Sequence, residues 1–139
     1  GGGVDAALKR AGRYWDGWMP SGPEDSAVYA KGWEAIAGHA RDAGRDPGTL
    51  VGSVYLTLAV GPDAAETNQR INTYLETYYN QPAKKLRSYQ GTFAGTQDAA
   101  LDWLRGFAVG GATHFVLRLV GDHDENIELA AAMRAELNS

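Results

Sequence analysis

The sequence predicts an α/β fold in which parallel strands alternate with helices. Residues 50–60 form a nearly continuous apolar run, rich in β-branched and aromatic residues, as expected for a strand covered on both faces. A second run of this kind lies at residues 113–120. The longer segments around these runs carry apolar residues at helical spacing, with Gly, Pro or Asp at most boundaries. Such alternation indicates crossover connections and therefore a parallel sheet.

Composition limits the kinds of partner. The chain has 139 residues, a net charge of -4 and 44% hydrophobic residues, which suits a single globular domain over 1–139. Its 13 basic residues are scattered, so we expect no nucleic-acid partner. Without cysteine it has neither disulfides nor a thiolate nucleophile. No apolar run is long enough to span a membrane and no signal peptide is recognisable, so we expect a cytoplasmic protein without a membrane partner.

The first part of the chain predicts a helix, a strand and a second helix. Residues 4–13 have helical spacing, and Gly12 within them indicates close packing against a neighbouring strand or an early helix end. Residues 16–19 form a short apolar run between a Gly and a Pro, which favours a buried strand. The following helix should start near Pro23 and end near residue 43, before a Gly at a capping position.

The clearest strand is residues 50–60, which end at a Gly-Pro-Asp sequence. The elements predicted after it are, in chain order, a helix at 64–79, a shorter helix at 82–89, a loop at 91–95, a helix at 99–108 with Thr96 as its cap, a strand at 113–120, a turn at 121–124 and a helix at 126–137.

Three segments together resemble the bacterial luciferase-like monooxygenase family. The first is Gly-Gly-Gly-Val-Asp-Ala-Ala-Leu-Lys-Arg-Ala-Gly-Arg-Tyr-Trp-Asp-Gly-Trp-Met-Pro at 1–20. The second is Ala-Gly-Arg-Asp-Pro at 43–47, and the third joins Gly95-Thr96 to Gly-Gly-Ala-Thr-His-Phe-Val-Leu-Arg at 110–118. No single motif is specific, but their order and spacing extend across nearly the whole chain.

This resemblance implies the C-terminal part of a (β/α)8 TIM barrel, with strands at 16–19, 50–60 and 113–120 as its last three. A complete barrel needs about 250 residues, so the isolated chain would be an incomplete barrel. The resemblance further implies an FMN- or coenzyme F-420-dependent oxidoreductase, either a monooxygenase or a hydride-transfer enzyme, acting on a small organic substrate. We expect the piece to be inactive alone, with no catalytic residue and no metal site of its own.

The resemblance also implies a phosphate site at the start of the chain. Gly1, Gly2 and Gly3 match the family's glycine-rich turn, which opens a helix and holds the cofactor phosphate. Free backbone N–H groups and the positive end of a helix dipole bind anions, and glycine permits close approach. The alternative is a plain terminal loop.

Arg118 interrupts an apolar strand near its C-terminal end, where ligands bind in such folds. It could pair with an anionic group of a cofactor or substrate. The alternative is a structural ion pair with Asp122 or Asp124 at the strand exit.

Other polar and aromatic residues carry weaker signals. Asp16 precedes the first strand, which favours a structural cap over acid–base chemistry. Trp18 and Met19 are expected to fill the barrel interior, and Met19 could border the cofactor ring. Tyr78 and Trp103 favour core packing over base stacking. The three histidines are not expected to be functional: His114 is expected to be structural, His39 lies on an exposed helix, and His123 lies in an acidic turn without the spaced partners of a metal site.

The cluster at Lys84, Lys85 and Arg87 indicates a solvated face, with contact to a phosphate or to the acidic tail of the deazaflavin as the alternative.

The second hypothesis is a non-catalytic function. Three parallel strands cannot close a barrel, so an inner face carrying Val54, Leu56, Phe115 and Leu117, or their alternates, would be open to water. An exposed apolar face of this size drives association. The sequence therefore predicts a homo-oligomer or a strongly rearranged sheet for the isolated chain. The corresponding function is a half-barrel module that self-associates or complements another chain.

Overall fold

The computed structural model describes residues 4–138. Within them, six α-helices and four β-strands alternate, with a short 3-10 turn, Pro47–Thr49, before the longest strand. The order is α1 (Asp5–Tyr14), β1 (Gly17–Trp18), α2 (Ser26–Asp42), β2 (Val51–Val60), α3 (Ala64–Tyr79), α4 (Ala83–Arg87), β3 (Thr92–Gly95), α5 (Gln97–Val109), β4 (His114–Leu119) and α6 (His123–Leu137).

β2 is the centre of a parallel sheet. On one edge it pairs with β4 over residues 53–58. On the other edge, β1 pairs with Val51 and Gly52, and β3 pairs with β2 from Thr57 onward. The two short strands thus share one edge of β2, one after the other, with an interval between them. The α/β fold with parallel strands and alternating helices, predicted from sequence, is confirmed.

One face of the sheet is covered by four helices. Val54, Leu56 and Leu58 point into this layer and are completely buried. Phe115 and Leu117 of β4 lie in register with Val54 and Leu56 and therefore face the same way. The core on this side also contains these buried residues of α1, α2, α5 and α6: Leu8, Ala11, Tyr29, Ile36, Ala40, Ala100, Leu101, Leu104, Phe107 and Met133.

The opposite face is only partly covered. At its C-terminal end, Ala59 packs under α3 and α4 in a second, smaller core with Ile71, Leu75, Ala83, Leu86 and Val120. The rest of this face, called the open face below, carries Ser53, Tyr55 and Thr57 of β2 and His114, Val116 and Arg118 of β4. It is mostly polar. The expectation of a broad apolar inner face was wrong, because Val54, Leu56, Phe115 and Leu117 point toward the helices.

The helix predicted at 64–79 is confirmed to the residue. The Asp63 carboxylate accepts hydrogen bonds from the N–H groups of Ala65 and Glu66, which caps its start. Asn80 ends it in the left-handed conformation, with φ of 51°.

The predicted loop at 91–95 was wrong, since residues 92–95 form β3. Four residues are too few for a strand pattern to stand out in sequence. The strand exists because the edge of β2 offers backbone groups to pair with, beginning with the Thr57 N–H, which donates to the Gly91 carbonyl at 3.0 Å. The turn predicted at 121–124 is also shorter than expected, because Asp122 already caps α6.

Two expectations for the first 20 residues are corrected. A Cβ on Gly12 would lie 2.5 Å from the Ile36 carbonyl oxygen, so α1 packs against helix α2, not a strand, and it continues past Gly12 to Tyr14. Trp18 does not fill the open face. It stacks on Tyr29 of α2, with ring centroids 5.3 Å apart, on the helix-covered side. No helix in the described part of the chain is both long and apolar enough to cross a membrane.

Candidate functional site

The open face carries a cluster of tyrosines around one arginine, toward the C-terminal end of the sheet. β2 supplies Tyr55 and Thr57, and β4 supplies Arg118, whose Cα lies opposite that of Thr57 in the parallel register. Side chains that are paired in this register project from the same face, so Arg118 lies beside Tyr55 and Thr57. In parallel α/β folds this end of the strands is where ligands bind.

Helix α3 provides the other side of the cluster. The Arg118 guanidinium lies 5.9 Å from the ring centroid of Tyr74 and 5.7 Å from that of Tyr78, which are cation–π distances. Tyr74 and Tyr78 are one turn apart and stack on each other at 5.6 Å. These contacts connect β4 to α3 through a single charged side chain.

The electrostatics of the cluster are set by Arg118. Interaction with Tyr55 and Tyr74 raises the pKa of the Arg118 guanidinium, which stays charged at any physiological pH. Burial raises the pKa of the Tyr74 hydroxyl, and the positive charge of Arg118 opposes that rise. Within residues 4–138 no carboxylate lies within ion-pair distance of Arg118. The predicted alternative, an ion pair with Asp122 or Asp124, was therefore wrong.

A pocket of about 230 Å³ adjoins this cluster. It is bounded by the loop after β1, by the open face of β2, by the end of α3 and by the turn before β3. The lining residues are Met19, Pro20, Ser21, Gly22, Tyr55, Thr57, Tyr79, Gln90 and Gly91. None of these side chains is charged. Met19, expected to fill the barrel interior or to border the cofactor ring, lies in this wall.

The two parts of the predicted cofactor site have different outcomes. Gly1, Gly2 and Gly3 lie outside the described residues. Arg118 lies near the C-terminal end of its strand, as expected, exposed on the open face.

The other candidates lie elsewhere. Asp16 is at the N-terminal end of β1, where its backbone oxygen accepts from the Val51 N–H and its carboxylate lies 3.8 Å from Arg45. His39 is only partly exposed, contrary to expectation, and lies 3.6 Å from the Asp5 carboxylate. His114 begins β4, at the end opposite Arg118. No group of three or more His, Asp or Glu residues within 4–138 is placed to hold a metal.

The three basic residues of α4 lie in different environments. Lys84 and Lys85 are exposed, as expected of a solvated face. Arg87 is half-buried and donates to the side-chain oxygens of Asn68 and Asn72, at 3.0 Å each, so it fastens α4 to α3.

The sequence analysis did not identify the tyrosines of the site. Tyr78 was expected in the core, but it is largely exposed and contacts Arg118. Trp103 does pack in the core, against Phe107. A usable signal was present: Ser53, Tyr55 and Thr57 alternate with Val54, Leu56 and Leu58, which marks one polar and one apolar face of the strand.

The fold and the position of the pocket define a class of protein: a parallel α/β scaffold with a pocket toward the C-terminal end of its strands, where ligands bind in such folds. The model of the luciferase-like monooxygenase family matches residues 1–137, so the chain belongs to that family. No significant match is found among curated proteins.

Solved structures with similar folds include enzymes of different chemistry. An F-420-dependent secondary alcohol dehydrogenase in complex with an F-420–acetone adduct has a TM-score of 0.77 and 16% identity, over 96% of this chain and 46% of that one. The F-420-dependent tetrahydromethanopterin reductase of Methanopyrus kandleri has a TM-score of 0.62 and 14% identity, over 91% and 46%. The EDTA monooxygenase of a Chelativorans species has a TM-score of 0.67 and 15% identity, over 97% and 43%.

At these identities the similarity concerns the fold. This chain spans less than half the length of each of these three enzymes. Its sheet and helices correspond to part of their luciferase-type architecture.

Proposed function

We propose that this chain is the C-terminal portion of a flavin- or deazaflavin-dependent oxidoreductase that acts on a small organic substrate. The observation that carries the proposal is Arg118, a cation without a carboxylate partner in residues 4–138, beside a preformed pocket on the open face. The similar enzymes named above use coenzyme F-420 in two cases, and a riboflavin lyase of similar fold contains modified FMN. FMN and coenzyme F-420 are both compatible with the proposal.

The residues of this chain fit an anionic cofactor at two places. Gly1, Gly2 and Gly3 would hold its phosphate on backbone amides at the start of α1. Arg118 would pair with an anionic group of the cofactor or substrate, since its guanidinium faces the rings of Tyr74 and Tyr78 and no carboxylate in residues 4–138 lies within ion-pair distance of it. When bound, the cofactor itself supplies the hydride or electron-pair chemistry.

The tyrosines would orient the ligand and exclude water. Burial raises the pKa of the Tyr74 and Tyr79 hydroxyls above the ordinary value, so both remain protonated hydrogen-bond donors at neutral pH. None of them needs to act as an acid or base. We therefore assign no catalytic residue to this chain and propose that it is inactive without the remaining barrel strands.

Cofactor titration tests this proposal. FMN and coenzyme F-420 are added separately to the chain alone and to a longer chain that includes the upstream strands, while cofactor fluorescence is followed. We expect binding by the longer chain, weakened about tenfold or more in Arg118→Met, since a charge-assisted contact is lost. Arg105→Met, which removes an exposed arginine paired with Asp102 on α5, is the matched control and should leave binding unchanged. Absence of binding by both chains contradicts the proposal.

A second candidate function is a half-barrel module that associates with a second copy or a complementary chain. The observation in its favour is the free edge of β4, next to a groove of about 660 Å³ between β4 and α6. Phe115, Leu117, Met133 and Leu137 give this groove an apolar lining. An unpaired strand edge beside an apolar groove favours addition of a further strand.

Light scattering distinguishes this second candidate. We expect a homo-oligomer at micromolar concentration, shifted toward monomer by Leu117→Lys, because a charge in the groove opposes strand addition. A compact monomer at the same concentration contradicts self-association. Co-elution with a chain that carries the upstream strands tests complementation.

A further inference from the structure

The shared edge of β2 is interrupted beside Tyr55. On this edge, the Val51 N–H donates to Asp16 and the Thr57 N–H donates to Gly91. Backbone groups of alternate residues point to the same edge of a strand, so the N–H and C=O of Tyr55 face the interval between β1 and β3. In the described residues, neither group bonds to the loops that flank this interval. These are strong hydrogen-bonding groups that require partners when removed from water.

Two glycines allow the flanking loops to approach each other closely. Gly22 has a φ of 84°, and a Cβ there would lie 3.3 Å from the Cα of Gln90. A Cβ on Gly91 would lie 2.7 Å from the Pro23 carbonyl oxygen. The loop after β1 and the turn before β3 are thus in direct contact. The pocket between them is preformed, as ligand pockets usually are.

The pocket has polar groups but no charge. Tyr79 interacts through a side-chain hydrogen bond with Gln90, and both line the pocket with Tyr55 and Thr57. Met19 and Pro20 supply apolar surface. At roughly 30 Å³ per water molecule, 230 Å³ corresponds to about eight heavy atoms. Arg118, the cation of the tyrosine cluster, is not part of this lining and faces Tyr74 and Tyr78.

We propose that this interval binds a small uncharged organic molecule carrying both a hydrogen-bond donor and an acceptor, such as a carboxamide or an alcohol. The molecule would take the place of a ladder partner for the backbone of Tyr55, with its apolar part against Met19 and Pro20. The role of this ligand as substrate rests on the proposed function. The binding itself does not, because it uses neither the cofactor nor Arg118.

Benzamide and benzoate test the proposal, since they match in size and differ in charge. Each is titrated into the 15N-labelled chain without cofactor, and backbone amide shifts are followed. We expect benzamide to shift the Tyr55 and Gly91 amides and benzoate to bind at least tenfold more weakly. Tyr79→Phe should weaken benzamide binding about fivefold, because the hydroxyl that bonds to Gln90 and gives this wall of the pocket its polarity is lost. Tyr89→Phe, outside the lining, is the control and should bind as the unmodified chain does.

Three outcomes would overturn the proposal: benzoate binding as tightly as benzamide, benzamide shifts that spare Tyr55, or no benzamide binding at millimolar concentration. Loss of benzoate binding in Arg118→Met would then assign the pocket to an anion. The benzamide titration is done without cofactor, so its result does not depend on the result of the cofactor titration. Either proposal can therefore be contradicted while the other stands.

Discussion

The two faces of the sheet are built from alternate residues of the same strands, yet they serve different purposes. On the helix-covered face, Val54, Leu56 and Leu58 are fully buried under four helices. On the open face, Arg118 is exposed and its guanidinium contacts the aromatic rings of Tyr74 and Tyr78 of α3. One face holds the fold together, and the other carries the polar groups from which a ligand site can be built.

This difference explains how a four-stranded sheet with one largely open face can still have an ordered core. The helix-covered face buries apolar area independently of the open face, and burial of that kind is the main stabilising term in folding. The open face buries less and exposes more polar surface. Substitutions on the helix-covered face should therefore change mainly the stability of the fold. Substitutions on the open face should change mainly the binding of a ligand.

The largest expected effect is at Leu56. Leu56→Ala should lower the free energy of unfolding by about 2–5 kcal/mol, because it leaves a cavity in a completely buried site. Val116→Ala, on the open face of the neighbouring strand, should cost less than about 1 kcal/mol. Urea denaturation of both variants measures the difference. Equal losses would break the distinction between the faces.

Two helix glycines give the next effect, with opposite signs. Gly12→Ala should destabilise the chain by about 1–3 kcal/mol, because the new methyl group overlaps the Ile36 carbonyl and separates α1 from α2. Gly38→Ala in α2 meets nothing within 4 Å, and should stabilise by about 0.5–1 kcal/mol through helix propensity alone. Thermal unfolding of the two variants checks this, and a stabilising Gly12→Ala would contradict the close packing of the two helices.

The buried hydroxyl of Tyr29 predicts how the stability of the fold depends on pH. Its hydroxyl is buried without a hydrogen-bond partner among the described residues, and burial raises its pKa to about 12 from the ordinary value of 10.0. Above pH 10 the unfolded chain loses this proton while the folded chain keeps it, so stability should fall between pH 10 and 12.

Tyr29→Phe should remove that part of the alkaline loss, and should raise stability near neutrality by about 1 kcal/mol, since an unsatisfied buried group disappears. Tyr89→Phe, at an exposed tyrosine, is the matched control. Unfolding followed by circular dichroism across this pH range measures both, and an unchanged alkaline slope in Tyr29→Phe would contradict the assignment.

The smallest effect on stability is expected at Arg118. Arg118→Met removes two cation–π contacts that join β4 to α3, which should cost less than about 1 kcal/mol at so exposed a position. It should also raise the pKa of Tyr74 further, because Arg118 opposes the effect of burial on that hydroxyl. Ultraviolet titration of the tyrosines detects the change. Arg118→Lys keeps the charge and should leave the pKa nearer its original value.

Much of the fold could be predicted from local pattern. The helix at residues 64–79 begins after the cap Asp63 and ends before Asn80, which has the left-handed conformation. Both the first and the last residue of this helix were predicted. β2 and β4 were identified because their apolar runs are long. β3 was missed because four residues carry too little pattern, and its pairing with β2 depends on chain segments far apart in sequence.

The site was predictable only in part. Arg118 stands out in sequence because a charge interrupts an apolar strand. Tyr74 and Tyr79 do not stand out, because their helix has a plausible core face and nothing local shows which side meets the sheet. The contacts of Tyr78 depend on where α3 lies, which no local pattern reveals.

The sequence by itself determined the class of fold, the family and the position of the two longest strands, because those depend on periodicity, turn residues and motifs close together in the chain. Only the tertiary structure decided which face of β2 meets the helices, and hence that Arg118 lies among tyrosines and not beside Asp122. Alternation along a strand defines two faces but not their neighbours. Those neighbours follow from the packing of helices that are distant in sequence.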